Sequence, residues 1–219
     1  MSAAMARNLE TWMPLLLSAA VQTIELMLIA YAIGLVAGAF LVAMRLSTRR
    51  WLAATAGAYV TAIRGTPALA QLFFIYFGLA ELGLVMSSYQ AAIIGLGANA
   101  AAYVAEIYRA GIESIPRGQV EAARAIGMRT PMVYRYVVIP QMVTVVLPPL
   151  CNQGIVLLKE TSVASLIAAP ELMLRTRELV AESYMPLELY VIAALMYFAL
   201  AFPLAQAVRL LEQRLRHPR

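Results

Sequence analysis

Apolar stretches of about 20 residues recur along this 219-residue chain, each long enough to cross a hydrocarbon core of about 30 Å at roughly 1.5 Å per helical residue. Inside lipid a backbone must satisfy its own polar groups, so open stretches of this kind can only be helices. The chain is 62% hydrophobic and 13% charged, with a mean hydropathy of +0.75, which leaves little sequence for a water-soluble core. These features predict an all-α integral membrane protein. Breaks at Gly, Pro and charge place five spans near 14–44, 51–80, 89–112, 139–168 and 187–211, all in one transmembrane unit covering 1–219.

Five spans put the termini on opposite sides, and basic loops stay cytoplasmic. With the N-terminus outside, the inner side holds Arg45, Arg49, Arg50, Arg109, Arg117, Arg124, Arg129, Arg135, Arg209, Arg214, Arg216 and Arg219, twelve against the outer three, Arg7, Arg175 and Arg177. The net charge of +5 is then a topology signal and not a nucleic-acid footprint. The first ten residues lack a basic region ahead of a short apolar core, so no cleavable signal peptide is expected.

The absences narrow the chemistry further. The chain has no Asp, one His (His217), one Cys (Cys151) and one Lys (Lys159). Lys159 follows Leu158 and not Gly, which excludes a phosphate-binding P-loop, so any ATP must be hydrolysed by a partner. Neither a zinc site, nor a Cys-His or Ser-His-Asp arrangement, nor an internal disulfide can be assembled from this set. The chain is expected to be no enzyme and to need no metal or cofactor.

The longest polar interruption, 113–138, is basic and helix-forming, and it lies inside in this orientation. Pro116 can open a helix there, and Gly127 with Pro131 marks a turn between two short helices. From Glu121 the segment reads EAARAIGMRTPMVYRYVVIP. Small residues at Ala122, Ala123 and Gly127 let such a helix seat deeply in a cleft, and Glu121 offers an acceptor to a basic partner. Read from the residues alone, the alternative is an amphipathic helix on the membrane surface, with Arg124, Arg129 and Arg135 against anionic lipid.

This segment resembles the cytoplasmic motif of ABC importer permeases, with Glu121, Ala122, Ala123, Gly127 and Pro140 matching and Val137 and Ile139 as apolar replacements. Three more stretches resemble permeases for polar amino acids: RGTPALAQLFFIYFGLAELG from Arg64, AYVAEIYRAGIESIPRGQ from Ala102 and LKETSVASLIAAPEL from Leu158. Cys151 and Gly154 depart from the pattern. The resemblance implies a type I importer permease in the bacterial inner membrane, with a coupling helix between its third and fourth spans. It also implies a second permease subunit, identical or paralogous, a pair of ATPases gripping Glu121–Gly127, and an extracytoplasmic substrate-binding protein.

Polar groups inside the spans mark the expected pathway, since a charge at the bilayer centre is costly and faces protein or water. Asn152, Lys159 and Ser162 share one face of the fourth span, with Gln153 and Glu160 beside them, and Thr161 adds a hydroxyl. In the third span Asn99, Tyr103 and Glu106 fall on one face with Arg109 following, and the two stripes are expected to face each other. A cavity with both signs of charge suits an amino acid. The alternatives are that Lys159 and Glu160 only fix helix packing and that Glu106 with Arg109 is an i,i+3 pair. Arg64, Gly65 and Pro67 predict a kink in the second span beside a charge, and so a gate, against an Arg that merely snorkels to headgroups. Segment 169–186 is read as a surface helix for the binding protein or as a solvated loop. A proton-coupled secondary transporter using Glu106, Lys159 and Glu160 is the competing function, although five unequal spans show no pair of repeated halves.

Overall fold

The computed structural model describes residues 3–216; His217 and Arg219 lie outside them. Eight helical elements follow in order: α1 (Ala3–Arg45), α2 (Arg50–Arg64), α3 (Ala68–Glu81), α4 (Ser88–Glu113), α5 (Arg117–Ala125), α6 (Thr130–Ile167), α7 (Leu172–Ser183) and α8 (Pro186–Arg216). Four of them, α1, α4, α6 and α8, are long and apolar enough to cross a membrane, and α2 with α3, bent by 109° at their junction, passes the same test as a pair, giving four spans or five. The described residues contain no strand, as the lipid argument requires.

α4 is the most enclosed of the long helices and α8 the least. The sequence of α4 explains its central place. Its start is fixed by a capping box in which Ser87 Oγ accepts from the Gln90 N–H at 3.2 Å and Gln90 Oε1 accepts from the Ser87 N–H at 3.1 Å. Small residues then line its buried faces, including Ala91, Ala92, Gly95, Ala100, Ala101, Ala102 and Ala105. α1 lies along it closely because Gly34 and Gly38 carry no side chain: a Cβ on Gly34 would stand 2.7 Å from Ala100 Cβ, and one on Gly38 2.6 Å from Val104 Cγ1. This is the close approach that small residues give helices in lipid, where apolar side chains gain nothing over lipid tails by meeting.

Large apolar side chains cover the outer faces, with Leu17, Val21, Val36 and Phe40 on α1 and Leu187, Leu195, Phe198 and Phe202 on α8 all exposed. On a membrane protein such faces meet lipid or a neighbouring subunit. At one end of the bundle Ser88 Oγ donates to the Ala168 carbonyl at 2.9 Å, tying the first residue of α4 to the loop after α6. The opposite end gathers Arg45, Arg49 and Arg50 with α5 and its basic flanks.

Segment 169–186 is the helix of the two readings and not the loop: α7 exposes Arg177, Glu178 and Glu182 on one face and buries Leu172, Thr176 and Leu179 on the other. Glu171, only 1% exposed, caps α7 by accepting from the Leu174 N–H at 2.6 Å and receives the Tyr197 hydroxyl of α8 at 2.6 Å. The Leu172 N–H donates to Thr23 Oγ1 of α1 at 2.9 Å. α7 is therefore bolted between α1 and α8. Burial pushes the Glu171 carboxyl above the ordinary carboxylate range, and the Tyr197 and Leu174 hydrogen bonds only partly offset it.

Candidate functional site at the break in the second span

α2 stops because Pro67 has no N–H to continue the ladder and its ring restricts Thr66. The freed groups are recaptured by side chains, as they must be in lipid. Thr66 Oγ1 donates to the Ala62 carbonyl at 2.8 Å. Gln71, one turn into α3, sends its Nε2 to the Ile63 carbonyl at 2.8 Å and to Thr66 Oγ1 at 2.9 Å, and its Oε1 accepts from Asn99 Nδ2 of α4 at 2.9 Å. The break at Arg64, Gly65 and Pro67 is thus capped by side chains and joined to the central helix through Gln71. Sequence reasoning passed over Gln71; its signal was a polar residue four positions after a proline within an otherwise apolar run.

Asn99 is 3% exposed, and its Oδ1 has no hydrogen-bond partner. A second such atom is Glu160 Oε2 at the end of the regular part of α6. Both residues flank one core layer, in which Leu72, Leu96, Ala100, Leu157, Leu158 and Ala164 pack together. Leaving a buried acceptor without a partner costs about 1–3 kcal/mol, which makes both atoms candidate contacts for a donor.

The other expected pathway residues divide. Lys159 is exposed on the outer face of the chain. The hydroxyls of Thr161 and Ser162 donate to the Leu158 and Lys159 carbonyls at 2.7 Å, spending their protons where the helix tightens to 3₁₀ over Thr161–Ile167. The α4 stripe is engaged by the broken span and α1: Asn99 meets Gln71, and Tyr103 and Glu106 meet Arg64 and Arg45. Glu106 receives Arg45 on Oε1 and Arg109 on Oε2 at 2.7 Å, with Arg64 at 3.6 Å, and Arg64 stacks 5.6 Å over the Tyr103 ring. Three arginines from three helices converge on one carboxylate because α1 and α2 end where α4 passes. The i,i+3 pair is real, and Arg45 is the partner that sequence spacing had no way to reveal.

At the arginine-rich end, α5 presents Glu121 and Ala122 to solvent and turns Ala123 into a core with Ile115, Val133, Val138 and Met142. It ends in a Schellman arrangement, with the Gly127 N–H on the Arg124 carbonyl at 2.9 Å and the Met128 N–H on the Ala123 carbonyl at 3.1 Å. Gly127 sits at φ +84, which glycine adopts without strain. Ile126 beside it is 80% exposed, an apolar side chain on a polar surface. A groove of about 550 Å³ runs along the helix, lined by Glu113, Arg117, Glu121 and Arg124 among others.

Four long apolar helices, with a bent pair that can add a fifth, define a multi-pass membrane protein. Residues 30–217 match the family described as binding-protein-dependent transport system inner membrane component, and the chain belongs to that family. It is 37% identical to the octopine transport system permease protein OccM of Rhizobium meliloti over 198 residues, 86% of this chain and 81% of that one. It is 35% identical to the L-cystine transport system permease protein TcyB of Bacillus subtilis over 207 residues, 94% and 88% of the two chains. The solved structure of an amino acid ABC transporter with histidines superposes with a TM-score of 0.90 at 37% identity, covering 94% of this chain and 97% of that one. An inward-facing MetNI methionine ABC transporter, at 22% identity and a TM-score of 0.73, shares the fold. The type I importer architecture and the role of ABC permease subunit stand, and the secondary-transporter alternative falls.

Proposed function

We propose that this permease moves a polar amino acid inward by alternating access, and that the substrate lodges in the layer where Asn99, Gln71 and Glu160 surround the break in the second span. The observation that carries the reading is the pair of unpartnered acceptors, Asn99 Oδ1 and Glu160 Oε2. An ammonium or guanidinium donates to such atoms, and relatives named for arginine and L-cystine transport support the substrate class. Lys159, Thr161 and Ser162 lie beside Glu160 and complete the pathway on the side of a second permease subunit. The break at Arg64, Gly65 and Pro67 is the gate, and Glu106 ties it to the cytoplasmic ends of α1 and α4.

Energy enters through Glu121, Ala122, Ala123 and Gly127, which dock in the clefts of a pair of ATPases that hydrolyse ATP on this chain's behalf. The N-terminus faces outside, where a binding protein delivers substrate, and the C-terminus faces the cytoplasm. The test is uptake by the reconstituted complex with Asn99→Ala and Glu160→Gln. Each is expected to lower amino acid uptake at least tenfold while basal ATP hydrolysis and assembly persist. Normal uptake in both would place the substrate elsewhere.

A further inference from the structure

We propose that the groove between α1, α6 and α8 binds one acidic phospholipid from the leaflet at the arginine-rich end. The groove encloses about 390 Å³ and is lined by Leu28 and Tyr31 of α1, Cys151 and Gly154 of α6, and Val208 and Leu211 of α8. That volume falls within the roughly 300–1,000 Å³ of small-molecule sites. The lining is dry. Its polar side chain, Tyr31, already donates its hydroxyl to the Leu150 carbonyl at 2.5 Å. Gly154 makes the room: a Cβ there would touch the Tyr31 ring at 3.4 Å, and anything larger would fill the space.

The α8 side sets what fits. Leu204, Ala207, Val208 and Leu211 line the groove at helical spacing, and Arg214 continues the Ala207 line seven residues on. Arg214 is exposed and makes no hydrogen bond or ion pair among the described residues. Measured from the middle of α8 near Ala201, Leu211 stands about 15 Å along the axis and Arg214 about 20 Å. The half-thickness of a hydrocarbon core is about 15 Å, so Arg214 reaches the level of lipid phosphates while the groove spans acyl-chain depth. Glu212, the nearest acid in sequence, lines a separate groove with Thr144 and Pro148. Arg209, Arg214 and Arg216 outnumber it at this end of α8. A parallel second copy would bring its own arginines against Arg214, whereas a phosphate diester is attracted to it, as basic pockets between membrane helices attract acidic headgroups.

Cys151, the chain's single cysteine, reports on the groove from within. The complete complex is placed in nanodiscs of phosphatidylcholine with or without phosphatidylglycerol, and N-ethylmaleimide labelling of Cys151 is followed by the mass of this chain. Phosphatidylglycerol is expected to slow labelling about fivefold, the effect of one arginine at an anionic surface. Arg214→Gln should abolish that difference, Arg214→Lys and Arg209→Gln should keep it, and Ala207→Leu should block labelling in both lipids. Equal labelling of the native chain in the two lipids would overturn the proposal.

Discussion

Replacing Gly127 with Ala isolates the conformational role of the turn that ends α5. An added Cβ meets no atom within 4 Å, so sterics contribute nothing. The cost is the backbone: at φ +84 a residue with a Cβ is destabilised by about 1–2 kcal/mol, and the two Schellman hydrogen bonds from Gly127 and Met128 loosen with it. That range lowers the population of the docked conformation roughly 5- to 30-fold. The assay is titration of purified ATPase onto the permease in nanodiscs, with hydrogen exchange read at residues 126–129. Gly127→Ala should weaken ATPase binding by that factor and raise exchange there, while membrane insertion stays normal. Gly127→Asn should lose less, since Asn tolerates the left-handed region. Native affinity and unchanged exchange in Gly127→Ala would refute the argument that α5 docks through this turn.

Glu106→Gln removes the anion shared by three arginines whose pairing holds α1, α2 and α4 together; with the arginines 25–45% exposed, the loss should be about 3 kcal/mol, the low end for a broken buried pair, visible as a lower melting temperature in detergent. An unchanged melting temperature would show the cluster to be ornamental. Glu171, whose carboxyl burial raises, gives a pH test: its contribution to stability is present below its unfolded value of about 4.3 and is lost as pH climbs through the raised folded value. Thermal scans from about pH 4, just below the unfolded value, to about pH 8 should show Glu171→Gln gaining on the native chain as pH rises, and parallel curves would contradict the burial effect. In a Cys151→Ser background, a cysteine placed at Ser88 or Glu178 should react with an impermeant thiol reagent from outside, and one at Gly118 should not. The reverse pattern would invert the orientation.

The helices were legible because membrane depth and Gly–Pro punctuation impose themselves on local sequence. The break at Pro67, the Pro116 start and the turn at Gly127 could all be read in this way. What sequence could not supply was direction across the bundle. Asn99, Tyr103 and Glu106 do share a face, yet that face meets Gln71, Arg45 and Arg64, because only tertiary packing brings residues 28 and 61 positions apart together. Glu171 was missed for the same reason: a charged residue in a polar stretch gives no local sign that Tyr197 and the start of α7 will enclose it. That the Thr161 and Ser162 hydroxyls donate back into their own 3₁₀ turn, leaving only their oxygens to accept, is a product of the turn and not legible from residue type.

The most direct measurement is amino acid accumulation in proteoliposomes holding the permease, its ATPases and its binding protein, driven in separate runs by ATP and by an imposed proton gradient. Accumulation should require ATP and the binding protein together, persist when the proton gradient is collapsed, and disappear in Glu160→Gln. Accumulation driven by the proton gradient without ATP would contradict the reading of this chain as the membrane half of an ATP-powered importer.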